Sequence, residues 1–142
     1  MDYLKELYTI FIMLLCLFHV VSYDIWFYIS HRLLHTPYLY TLHKIHHEKM
    51  IPIWQDTYHG HWFESPFQSL GFFLPILLFP FDTKQMLVAF FICQMRGIMR
   101  HDKRTNFIDR GHHMRHHLNG SCNYGEEWID WLFNTQGTLQ GP

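Results

Sequence analysis

Eight of the thirteen histidines in this 142-residue chain stand in three tight clusters: His31-Arg-Leu-Leu-His35, His43-Lys-Ile-His46-His47 and His113-Met-Arg-His116-His117. Residues at i, i+3 and i+4 share a face of an α-helix, so each cluster is expected to turn its imidazoles into one volume. Neighbours such as His46 and His47 are rotated by about 100° at 3.6 residues per turn, so the two rings of a doublet do not easily serve one ion. A doublet in each of two clusters therefore points to two metals. His101 and one of His59 or His61 raise the count to ten, giving each ion four or five nitrogens. All-nitrogen sets suit iron, zinc or copper, whereas magnesium and calcium prefer oxygen. A lone HxxxH is common on a solvated helix face. Three clusters beside apolar segments are a different matter, because crowding so many polar rings there is costly without an ion to hold them.

The apolar segments set the fold class. Tyr8 to Val21 carries no formal charge before Asp24, and the run continues through Ile25, Trp26, Phe27, Tyr28 and Ile29. Roughly 22 helical residues at ~1.5 Å each give about 33 Å, close to the thickness of a bilayer core. The opening Met1-Asp2-Tyr3-Leu4-Lys5-Glu6 lacks the basic start of a cleavable signal and leads directly into His31, so the segment is expected to be retained. Phe67 to Phe81, with Pro75 and Pro80, and Met86 to Met99 flank a polar turn, Asp82 to Gln85. Each is short for a full crossing, and together they read as a helical hairpin that enters the membrane partway.

Segments 30–66 and 100–142 are polar and hold twelve of the thirteen histidines; His19, isolated among Leu17, Phe18 and Val20, reads as a structural residue. One entering helix and one returning hairpin place both polar segments on one face. Nine of the eleven basic residues (Arg32, Lys44, Lys49, Arg96, Arg100, Lys103, Arg104, Arg110, Arg115) lie at or beside that face, leaving Lys5 and Lys84 on the other. By the positive-inside rule it is cytosolic. The expectation is a single all-α domain over residues 1–142: a multi-pass membrane helical bundle with a cytosolic histidine-rich helical cap, and a Gly- and Pro-containing tail that frays after Thr135.

Composition closes other routes. Eleven Lys+Arg against twelve Asp+Glu leave no basic surplus for a nucleic-acid partner, and 49% hydrophobic residues exclude disorder. Cys16, Cys93 and Cys122 stand far apart without CxxC spacing, so they read as free thiols rather than a disulfide framework or a thiolate zinc site.

Around the clusters, Asp24, Tyr28, His31 and His35 follow at steps of four, three and four, forming one stripe along a helix. Asp24, a costly charge in an apolar helix, is expected to receive an imidazole N–H from behind a metal-bound ring. Glu64 has the same potential, while Glu48 reads as a surface residue. His112 is left out of the ligand set, because the strict HxxHH spacing starts at His113.

These residues resemble the fatty acid hydroxylase/sterol desaturase superfamily of integral-membrane di-iron oxygenases. The carrying stretches are Asp24 to His35, His43 to Glu48, His61-Trp-Phe-Glu64, His101, His112 to His117, Asn123-Tyr-Gly125 and Trp128 to Thr135, which cover most of the chain. The resemblance implies His31, His35, His43, His46, His47, His61, His101, His113, His116 and His117 as ligands of two irons, a set that zinc also enters readily. It further implies dioxygen as oxidant, an apolar lipid substrate (a fatty acyl chain or sterol), and NAD(P)H-derived electrons delivered by a b-type cytochrome or reductase. In a eukaryote it implies an endoplasmic-reticulum-like membrane. The expected activity is hydroxylation; desaturation on the same scaffold, or a catalytically silent metal-binding subunit, are the alternatives. The chain is shorter than is usual for the family and is expected to lack its earlier membrane helices. Trp62 stands where a Pro usually follows the mid-chain histidine, and Asn134 where Gly is usual.

Overall fold

A computed structural model describes residues 2–80 and 82–137, and among them the only regular structure is helical. The tail from 138 onward, expected to fray, lies outside the described residues, as does Phe81. Helix α1 (Asp2–Leu34) is a single 33-residue rod, about 50 Å long at ~1.5 Å per residue. It exceeds the ~30 Å of a bilayer core, so it is long enough to cross one and still project a few turns, such as those carrying His31, beyond it. A soluble protein's core helix would be mostly covered, yet only 22% of the apolar window of α1 is buried. Among the described residues α1 alone is long and apolar enough to cross a membrane.

Helices α3 (Glu64–Phe73) and α4 (Thr83–Arg100) pack along α1 and form the expected hairpin. Pro75 turns the end of α3 into a tighter 3-10 segment, Leu74–Leu77. A 3-10 turn would have the carbonyl of Phe72 accept from residue 75, which as proline has no N–H. The buried Nδ1–H of His19 donates to that oxygen instead, at 2.7 Å. The lone histidine of α1 is thus structural, as expected. Across the hairpin turn the Asp82 carboxylate caps α4 by accepting from Gln85 N–H at 3.0 Å.

The core beneath is small: Phe72, Ala89 and Cys93, with Cys16, Val20, Tyr23 and Met86 packed around them. Outside it, Leu70, Phe73, Leu77, Leu87, Val88 and Phe91 are exposed, continuing the bare apolar surface of α1. Such a surface suits lipid better than water.

A chain of charges links the far ends of these helices. Asp24 on α1 accepts from Arg96 on α4 at 3.1 Å; Arg96 reaches Glu126 at 2.8 Å, and Arg100 reaches the same carboxylate at 2.7 Å. This corrects the expected role of Asp24. It balances a guanidinium rather than receiving an imidazole, because Arg96 sits opposite it and can approach it from the neighbouring helix.

Four short helices complete the chain: α2 (Tyr40–His43), α5 (Asn106–Asp109), α6 (His112–Leu118) and α7 (Glu127–Leu132). Asn134, just past α7, has φ of 53°, the left-handed conformation in which Gly is usual and Asn is tolerated.

Helix α3 packs tightly on α1 at Gly71, where an added Cβ would overlap Trp26 Cβ and lie 2.7 Å from the carbonyl oxygen of Ser22. Gly71→Ala is expected to force α3 off α1 and destabilise the fold by about 1–3 kcal/mol or more. Gly97→Ala, where the nearest atom is Thr57 Cγ2 at 3.9 Å, should hold or raise the midpoint of thermal denaturation in detergent micelles.

Candidate metal centre

Nine imidazoles converge as two groups. His31, His35, His43, His47 and His116 form the first, and His46, His101, His113 and His117 the second; within each, the donor nitrogens lie within 4.8 Å of one another. The rod α1 delivers His31 and His35, a single turn apart. The end of α2 and the 3-10 turn His46–Glu48 deliver His43, His46 and His47. His101 caps the end of α4, and α6 supplies His113, His116 and His117. Both doublets divide between the groups, His46 from His47 and His116 from His117, as the rotation between neighbours requires. The second cluster does not form the expected helix. α2 ends at His43, and a tighter turn follows, with three residues per turn, that stacks His43 and His46 at 5.3 Å between centroids.

Backbone carbonyls set the orientation of four rings. His31 Nδ1–H donates to Tyr124 O, His116 Nδ1–H to Cys122 O at 2.6 Å, His46 Nδ1–H to His59 O at 2.9 Å, and His101 Nδ1–H to Gly97 O at 2.8 Å. A carbonyl can only accept, so in each neutral ring the proton sits on Nδ1 and Nε2 presents a lone pair inward. Burial, helped by neighbouring imidazoles, keeps the rings neutral: it lowers His35 and His101 to about 3 and His47 to about 4, and holds His43, His113, His116 and His117 far below the ordinary histidine range.

The arrangement fits a cation. His46 Nε2 and His101 Nε2 stand 3.2 Å apart, each a lone pair whose partner proton is committed elsewhere, so no hydrogen bond joins them. Both ring nitrogens of buried His117 lack a hydrogen-bond partner, an arrangement that costs about 1–3 kcal/mol per group unless something else satisfies them. Two nitrogens bound at right angles to one ion at ~2.1 Å would lie about 3.0 Å apart. The observed spacings match: His31 to His43 and His35 to His116 at 3.0 Å, His113 to His101 at 3.1 Å.

Glu64, expected behind a metal-bound ring, is buried beside this centre. Its Oε1 lies 3.0 Å from His43 Nδ1 and 3.9 Å from His46 Nδ1. Burial pushes its carboxyl up to about 8, so a neighbouring positive charge is what would hold it as a carboxylate.

Neither His59 nor His61 joins a group, which corrects the expected tenth ligand. His61 lies in the turn before α3, where its Nδ1 accepts the Phe63 N–H at 3.2 Å and its ring packs on Trp62. His59 contributes its carbonyl to His46, and its ring faces Glu48 at 3.4 Å. His112 is excluded, as expected: its Nε2–H donates to Asp130 Oδ2 at 3.0 Å. What the sequence analysis missed is Asp130 itself and the four carbonyl oxygens. Nothing in the spacing announces either, since Asp130 stands 18 residues from the His112 it meets and every residue carries a carbonyl.

A cavity of about 140 Å³ opens against the centre. Phe27, Phe72 and Phe90 line its apolar part, and His31, His46, His101 and His113 close its end, so it reaches both groups.

The partition is open to a direct check. His35→Ala/His47→Ala strips the first group and His46→Ala/His101→Ala the second, so each double variant should retain one ion of the pair by elemental analysis in detergent micelles. Loss of both ions from either one would contradict two separate sites.

Comparison with known proteins completes the description. The sequence pattern of the fatty acid hydroxylase family matches residues 16–135. The chain is 29% identical over 134 residues to a Delta(7)-sterol 5(6)-desaturase of Gibberella zeae, covering 87% of this chain and 41% of that one. It is 32% identical over 126 residues to methylsterol monooxygenase 1 of Gallus gallus, covering 79% and 42%. With a Delta(7)-sterol 5(6)-desaturase of Schizosaccharomyces pombe the identity is 36% over 112 residues, covering 72% and 36%. The chain thus spans less than half the length of these curated relatives. No solved structure matches it significantly.

Proposed function

This chain belongs to the fatty acid hydroxylase family, and we propose that its nine imidazoles form the di-iron centre of a membrane oxidoreductase that hydroxylates an apolar lipid, a fatty acyl chain or a sterol. One observation carries the reading: the cavity joins a phenylalanine-lined wall to rings of both histidine groups, so an unreactive carbon and two ions can share one pocket.

In this reading α1 crosses the bilayer and the apolar flanks of α3 and α4 sit in it, with the histidine-bearing segments on the cytosolic side. A cavity near 150 Å³ takes in about one benzene ring, so the site holds the reacting segment of a lipid while the remainder lies along the exposed helix faces. Phe27, Phe72 and Phe90 orient that segment and exclude water. His31, His43, His46, His47, His101, His113, His116, His117 and His35 would hold the metal through Nε2, leaving it the full positive charge that neutral ligands preserve; Glu64 steadies His43 from behind. When bound, the iron pair supplies the activation of dioxygen, one oxygen atom entering the C–H bond and the other leaving as water with two electrons and two protons. Those electrons come from NAD(P)H through a b-type cytochrome or reductase. The desaturases among the relatives favour a second outcome on the same centre, removal of two hydrogens instead of insertion of oxygen.

The test is the full chain, loaded with iron in lipid nanodiscs and supplied with oxygen, a reductant and membrane lipid extract. Mass spectrometry should find an oxygen-dependent lipid product bearing an added oxygen, or lacking two hydrogens. His117→Ala should abolish it while membrane insertion persists. A chain that binds one iron or none and forms no such product would be a silent metal-binding subunit.

A further inference from the structure

The two histidine groups are supported differently. In the second group, His46 and His101 are oriented by His59 O and Gly97 O, the latter inside α4. In the first, His31 and His116 rely on Tyr124 O and Cys122 O, both in the irregular segment 122–125. That segment has no helix of its own; Asn123 ties it to α6 by donating its Nδ2–H to His112 O at 3.1 Å, and its Oδ1 accepts from Gly137 N–H at 2.8 Å. Asn123 within it sits at φ of 57°, a conformation that needs local support.

The remaining support converges on one carboxylate. Asp130 is fully buried. Its Oδ1 accepts from Tyr124 N–H at 2.9 Å and the Thr135 hydroxyl at 2.6 Å, and its Oδ2 accepts from Gly125 N–H at 2.8 Å and His112 Nε2–H at 3.0 Å. The two amides it binds belong to the residues that bear and follow the carbonyl facing His31. Through Thr135, whose carbonyl accepts from Asn123 N–H at 2.9 Å, it also braces the residue following the carbonyl that faces His116. Four donors fill its acceptor positions, and removing it would strand the buried Gly125 N–H and the part-buried Tyr124 N–H, which favours movement of the segment.

We propose that Asp130, which hydrogen-bonds none of the nine rings, is a positioning residue for the first histidine group: by clamping segment 122–125 it aims His31 and His116 at one ion, while its single link toward the other ion's ligands is the side chain of His112, next to His113 on α6. The inference rests on the two-ion reading of the centre. Its distinctive content is selectivity, because a residue needed only for general folding would cost both ions together.

The experiment uses the full chain in detergent micelles with Zn²⁺ as the probe, stepwise affinities read by competition with a chromogenic chelator, and bound metal counted by elemental analysis. Wild type should take up two ions. Asp130→Ala should weaken one by about 10–100-fold, the usual cost of losing an outer support, and leave the other at wild-type affinity. In that background His46→Ala/His101→Ala should remove the remaining tight ion, whereas His35→Ala/His47→Ala should not. Unchanged affinity at both sites, or a parallel fall at both, would overturn the proposal. If Asp130→Ala does not fold, Asp130→Asn, which keeps the size and one acceptor oxygen, should show the same one-sided loss; if it too misfolds or loses both ions, Asp130 is a folding residue and the selectivity is refuted. Failure of the wild type to bind two ions would instead strike the underlying two-ion reading.

Discussion

A hydrogen bond from imidazole Nδ1–H to a backbone carbonyl decides which way four rings face, and the centre follows from it. With the proton fixed on the outer nitrogen, the inner one carries only a lone pair, and lone pairs at 3.2 Å, as between His46 and His101, repel unless positive charge stands between them. Side-chain identity gives the nine rings; the backbone gives the tautomer of four of them. The centre is therefore as much a property of the loops and helix ends as of the histidines.

Helix α1 is the frame on which those loops close. It carries two ligands at its end, accepts α3 at Gly71, and holds α4 through Asp24 and Arg96. Arg96 and Arg100 both reach Glu126, directly before α7. The same network thus fixes the end of α4, where His101 lies, and the approach to the segment that faces His31 and His116. Each partner of this network is at least partly buried, and a buried ion pair of that kind gains its value through what it positions as much as through net stability.

Much of this was legible in the sequence. A long uncharged run gave α1, apolar stretches around a polar turn gave the α3–α4 hairpin, and the doublets gave two groups. Helical spacing failed at residues 43–47, where a tighter turn brings His43 and His47 together without a continuous helix. Counting to ten ligands and the family resemblance overreached at His61, whose nitrogen is used by the turn before α3. Asp24 sits on the expected stripe, but a stripe records only which face a residue shares and not what approaches from another helix. The carbonyl oxygens were invisible for a plainer reason, since every residue carries one and only the folded path says which are aimed at a ring. Asn134 shows the converse: a departure from the family pattern that the backbone tolerates because asparagine reaches the same left-handed turn as glycine.

The division of each doublet has a mechanical consequence. Successive α-carbons are joined by one rigid peptide unit of about 3.8 Å, so the gap between the two groups is gauged by the main chain, at His46–His47 and again at His116–His117. Side-chain repacking elsewhere can tilt a ring but cannot stretch that gauge. Drift in the surrounding sequence would then leave the spacing of the pair intact, whereas inserting or deleting a single residue inside either doublet would throw both sites out of register at once.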